Sequence, residues 1–144
     1  MNKYIILIAI LAVIIVILAA VLFWPMPKKS VVIEKPLADI EILNVKSGHT
    51  VSSPLKITGI VRVNGWNGFE GQVGTVHVMD ASNNELAVGV LKATTDWMAL
   101  PTSFEANVTF AGISGQAGSL VFKNENASGD PVRDKTFILP IIFQ

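Results

Sequence analysis

Two patterns of apolar positions divide the chain. From Tyr4 to Phe23 apolar residues run without a charge, a proline or a glycine. After the prolines that follow, apolar and polar residues alternate in short stretches separated by turn-forming residues. The first pattern predicts a membrane-spanning helix, the second a set of half-buried β-strands.

The apolar run holds 20 residues. At about 1.5 Å per residue a helix of that length spans roughly 30 Å, the hydrocarbon thickness of a bilayer. Half of it is Ile or Val, mediocre helix formers in water. In lipid a lone segment must satisfy its own backbone hydrogen bonds, and a helix does so. Tyr4 and Trp24 bracket the run as interfacial aromatics, and Pro25 ends it. A cleaved signal peptide needs small residues at positions −3 and −1 of its cleavage site. Cleavage after Ala20 or Ala19 would put Leu18 or Ile17 at −3. The expectation is therefore an uncleaved anchor, residues 1–24, in contact with the membrane over residues 4–24. Its flanking charges, Lys3 on one side and Lys28, Lys29 and Lys35 on the other, do not by themselves place the C-terminal part outside.

Residues 25–38 contain Pro25, Pro27 and Pro36 with the same three lysines, the composition of a semi-rigid tether. Alternation starts at Ile40 and Ile42 and resumes after a turn region at 47–54. Leu55, Ile57, Gly59, Val61 and Val63 then alternate with Lys56, Thr58, Ile60 and Arg62. Further strands are predicted at 75–79, 86–93, 104–110, 120–123 and 136–143, with Asp80 to Asn84 as a hairpin turn. Pro140 marks the last as an edge strand or a bulge. About seven strands at this spacing predict an all-β antiparallel β-sandwich over residues 39–144.

Composition narrows the function. From Ser30 onward eight Lys/Arg stand against eleven Asp/Glu, a balance of −3. A nucleic-acid surface needs clustered positive charge, so no nucleic-acid partner is expected. With no cysteine there is no disulfide, thiol nucleophile or thiolate metal site.

Several motifs, taken in order, are similar to a known family. Val51-Ser52-Ser53-Pro54-Leu55 leads into a strand reaching Thr58-Gly59, and Phe69-Glu70 follows Trp66. Asp96-Trp97-Met98 leads to Pro101, Phe104, Ala106 and Phe110. Gly118-Ser119-Leu120-Val121-Phe122 leads to Asn126-Ala127-Ser128-Gly129, and Ile138, Pro140 and Ile141 close the chain. From about Ile40 to Phe143 the chain resembles the immunoglobulin-like domain of bacterial spore germination proteins. Ala127 stands where the family's turn usually has Pro. The resemblance implies an immunoglobulin-like sandwich in the cell envelope, without catalysis, and a topology with the N-terminus in the cytoplasm and the domain outside.

Candidate chemistry is sparse. Ser52, Ser53, His49 and His77 supply the residue types of a nucleophile and a base, but no third orienting group or nucleophile elbow accompanies them, so no catalytic residues are expected. Asn124, Asn126, Ser128 and Gly129 copy the first half of a calcium loop, yet Lys135 stands where the bidentate Glu belongs. That stretch and Asp80–Glu85 are expected to be Asx-type turns, with no metal or cofactor. Trp66, Phe69, Glu70, Asp96, Trp97 and Met98 lie on two long loops. Their aromatics suit either of two tasks: anchoring a partner, or plugging the open end of the sandwich. The last strand is apolar enough for strand-mediated association.

These features predict a membrane-anchored, extracytoplasmic, non-catalytic interaction or scaffold module whose partner is an envelope protein or a glycan. The alternatives are a glycan- or small-ligand-binding domain using the Trp66 and Trp97 loops, and a self-assembling envelope subunit.

Overall fold

The computed structural model describes residues 2, 3, 38–62, 65, 66 and 68–144. The apolar run and the tether up to residue 37 lie outside them. Among the described residues no helix is long and apolar enough to cross a membrane.

Where the sequence alternates, strands form. They are β1 (Ile40–Ile42), β2 (Thr50–Val51), β3 (Leu55–Val61), β4 (Gln72–Asp80), β5 (Glu85–Ala93), β6 (Thr102–Val108), β7 (Ala117–Asn124) and β8 (Thr136–Phe143). Among the described residues there are eight rather than seven. The additional strand, β2, falls inside the stretch expected to be a turn. Two residues cannot carry a period, and β2 exists through its parallel pairing with Ile142 and Phe143. Phe110, expected in a strand, follows the end of β6. Between β7 and β8, Pro131–Arg133 make one turn of 3-10 helix, with the Asp130 side chain accepting from the Val132 N–H.

All eight strands belong to one sheet, in the order β1-β3-β6-β5-β4-β7-β8-β2. β5 and β6 pair only through Lys92 with Glu105 and Ala93 with Phe104. The sheet curls about that short seam into a β-sandwich-like shape with two facing halves. Ile57, Val61 and Phe104 from one half and Val76, Leu120 and Phe122 from the other belong to one buried cluster. Near its edge the rings of Phe110 and Phe143 lie 5.5 Å apart. Every described core residue falls between Ile40 and Phe143, and Pro36–Gln144 forms one compact unit. That unit carries a core of its own.

Three irregularities shape the sheet, one of them a register shift between Val78 and Met79 that inserts Leu86 opposite β4. The register shifts between Gln72 and Gly74, inserting Val73 opposite β5. Gly74 has φ 142°, and a Cβ there would strike the Lys123 carbonyl oxygen, so the bulge requires glycine. Pro140 lies on the side of β8 facing β2. Its missing N–H costs no ladder bond there, and its carbonyl accepts from Gly48 N–H at 2.9 Å. Ser53–Pro54 and Leu100–Pro101 are cis peptide bonds.

Candidate functional site

The strand pairing brings three connections to one end of the sheet: 62–71 between β3 and β4, 94–101 between β5 and β6, and 125–135 between β7 and β8. Each is held by local chemistry. In the first, Phe69 and Gln72 exchange backbone bonds of 2.7 and 2.9 Å across a two-residue turn. Glu70 and Gly71 have φ of 50° and 80°, the type I′ pattern that matches strand twist. Gly71 then accepts from Ala93 N–H at 2.8 Å, which docks the turn on the end of β5.

The second connection is folded by Asp96 and Thr102. Asp96 Oδ1 accepts from Met98 N–H at 2.9 Å. The buried Thr102 hydroxyl donates to the Ala99 carbonyl at 2.7 Å. This connection meets the first at Gly68, where an added Cβ would lie 2.7 Å from the Trp97 carbonyl oxygen.

The third connection is organised by asparagines. Asn124 Nδ2 donates to the carbonyls of Gly65 at 2.7 Å and Arg133 at 2.9 Å, and its Oδ1 accepts from Lys135 N–H at 2.7 Å. Asn126 Nδ2 donates to the Asp130 carbonyl at 2.8 Å and to Asp134 Oδ1 at 2.7 Å. Asn124 thus ties the third connection to the first.

Between those two connections lies an open cleft of about 510 Å³. Phe69 and Val132 supply its apolar surface, Asn124, Asn126, Arg133 and Lys135 its polar surface. Phe69 is 46% exposed and Val132 is 91% exposed. The Lys135 ammonium pairs with Asp39 Oδ2 at 2.6 Å, while the Arg133 guanidinium stands 3.9 Å from Asp130 Oδ2. The cleft therefore combines apolar area with a solvated guanidinium, while the Asn124 and Asn126 amides are engaged within its walls.

The six loop residues singled out in the sequence separate by role. Trp66 is only 1% exposed and belongs to the core cluster, so it plugs the sandwich and presents no surface to a partner. The burial of so large an apolar ring overturns its candidacy as a binding residue. Trp97 is half-buried, against the first connection. Phe69, Glu70, Asp96 and Met98 are exposed, and of these Phe69 lines the cleft. The backbone of Glu70 forms the turn, and the Asp96 carboxylate is engaged within its own loop. Asn124, Val132, Arg133 and Lys135 were not among the loop candidates, though Asn124 and Lys135 figured in the calcium-loop comparison. An asparagine at a strand end before a polar loop was the available signal.

The oxygen-rich stretches close on themselves as turns. Asp80 Oδ1 accepts from Ser82 and Asn84 N–H, both at 2.8 Å, and Oδ2 accepts from the Asn84 amide at 2.8 Å. These bonds, the Asn84 side chain first, lower the Asp80 pKa below the usual carboxylate range. Asn126 Oδ1 accepts from the Ser128 hydroxyl. Among the described residues no three His, Asp or Glu gather as a metal site. His77 Nδ1 lies 2.6 Å from Glu85 Oε2, and its Nε2 3.1 Å from the Thr75 hydroxyl. His49 Nδ1 accepts from Lys46 N–H, and Ser53 Oγ accepts from Phe110 N–H. Each of these side chains is thus engaged by a partner within the protein.

Comparison with protein-family models, with curated proteins and with solved structures finds no match.

Proposed function

We propose that the chain is a non-catalytic interaction module of the bacterial envelope. The run 4–24 anchors it in the membrane, and an immunoglobulin-like domain meets a protein partner outside through its loop end. The strand order supports the finer fold assignment. β1, β3 and β6 correspond to strands A, B and E of that fold, and β8, β7 and β4 to G, F and C. β5 stands beside β4 and touches β6 at the seam, as a strand switching between sheets does.

The observation that carries the functional reading is the exposed Phe69 and Val132 on the cleft between the first and third connections. Large apolar side chains exposed on loops above a rigid sheet are the form partner-contact sites take. The proposed partner is a protein, because apolar contact beside Arg133 suits a mixed polypeptide surface.

The test uses fragment 36–144 immobilised beside its Phe69→Ser and Val132→Asp variants and exposed to solubilised envelope proteins. One protein retained by the wild type and lost by both variants, with unchanged unfolding, is the expected result. Equal retention by all three would remove the loop end from the reading. Protease access in intact cells tests topology, and a fully shielded domain would refute the extracytoplasmic placement.

A further inference from the structure

The two halves of the sheet have outer faces of different kinds. Across β1, β3 and β6 the outward face carries ion pairs, Lys56 with Glu105 at 2.8 Å and Arg62 with Glu41 at 2.7 Å. Across β5, β4, β7 and β8 the outward positions include Val88, Val90, Val121, Ile138 and Ile142. The register sets Val88, His77, Val121 and Ile138 side by side in one row over four strands. Val88 is 49% exposed and Ile138 58% exposed. A solvated face of an antiparallel sheet is ordinarily polar, and a contiguous apolar patch marks a contact surface.

We propose that this face packs against the same face of a second copy of the chain, forming a closed two-fold dimer. Charge placement selects that occupant. Lys92 on β5 and Lys123 on β7 lie at the end of the face nearest the 62–71 and 125–135 connections. Asp80 and Glu85 lie at the opposite end, in the β4–β5 hairpin. A two-fold axis across the strands, along the Val88–Ile138 row, sets each copy's Lys92 over the other's Asp80–Glu85 hairpin. The apolar row then packs on its own image. A surface with opposite charges at its two ends is complementary to itself under that rotation.

The polar groups inside the patch fit this arrangement. Both His77 ring nitrogens have partners within the face, Glu85 and Thr75, so covering them leaves neither unsatisfied. The sheet edges disfavour association by strand addition. β1 has three residues and β2 has two, and Pro140 interrupts the donors of β8. Assembly is therefore face to face and stops at two.

The patch is small. Four strands about 4.8 Å apart and about five residues at ~3.3 Å each make roughly 300 Å² in plan. Stable interfaces bury ~800 Å² per partner, so the dimer is weak and depends on concentration.

Sedimentation equilibrium of fragment 36–144 from about 1 to about 500 μM tests it. The wild type is expected to pass from monomer to dimer. Ile138→Lys and Val88→Lys are expected to stay monomeric with native unfolding midpoints, since both side chains point to solvent in the monomer. Lys92→Glu is expected to weaken the dimer about tenfold by placing like charges opposite each other. Val132→Lys, at the loop end, is expected to leave it unchanged. A wild type monomeric throughout, open-ended oligomers, or a dimer that survives both outer-face lysines would overturn the proposal.

Discussion

The side-chain amide of Asn124 donates to the backbone carbonyl of Gly65 at 2.7 Å, joining the end of β7 to the β3–β4 connection 59 residues earlier. Together with its bonds to Arg133 and Lys135, this makes one partly buried amide the joint between the two walls of the cleft. An isolated β7 strand has no use for such a residue. The loops need it because their carbonyls turn away from any ladder partner.

Asn124→Ala leaves the Gly65 and Arg133 carbonyls and the Lys135 N–H without this partner. The expected loss is about 2 kcal/mol of unfolding free energy, measured by urea denaturation of fragment 36–144. Asn124→Asp keeps the acceptor for Lys135 N–H and removes both donors, so it should fall between. A loss in Asn124→Ala below about 0.5 kcal/mol would mean that the cleft walls are held by other contacts.

Trp66 and Phe69 stand three residues apart and should respond in opposite ways. Trp66→Ala empties a ring-sized volume in the core and is expected to cost about 3–5 kcal/mol. Phe69→Ala removes a half-exposed ring and should change stability by less than about 1 kcal/mol while weakening partner capture. Denaturant midpoints of the two variants decide the matter, and the reverse order would contradict the burial assigned to them.

Asp80 predicts a pH dependence at the β4–β5 hairpin. Its folded pKa is depressed, first by the Asn84 side chain and then by the Asn84 and Ser82 N–H groups. The group therefore contributes stability that is fully present above its unfolded pKa. That contribution is lost as pH falls through the lower folded value. The stability gap between wild type and Asp80→Ala should be constant near neutrality and should narrow in acid. Urea midpoints measured across that range test this. A gap that does not narrow would assign the effect to bonds independent of the charge.

Much of the fold was legible because burial follows a local period. The alternation from Leu55 to Val61 and from Phe104 to Val108 reproduces the buried and outward positions of β3 and β6. The Asp80 turn was legible for the same reason, since its bonds lie within four residues of it. β2 was not, because two residues have no period and their partner lies at the end of the chain. The aromatics of the β3–β4 connection were equally ambiguous. A tryptophan on a loop is a plug or an anchor according to what stands above it, and that is a property of other segments.

The sequence by itself determined the strand-forming stretches, the self-bonded turns, the acidic balance of the C-terminal part and the apolar run that precedes it. Each depends on neighbours along the chain. Only the tertiary structure decided that Trp66 is core, that Asn124 bridges two loops, and that Val88 and Ile138 share one exposed row. Both valine and isoleucine fit a strand whichever way they point, so their presence predicts the strand and not the face. The sheet's curl and register decide which apolar positions are covered, and thereby which are left outside for a partner.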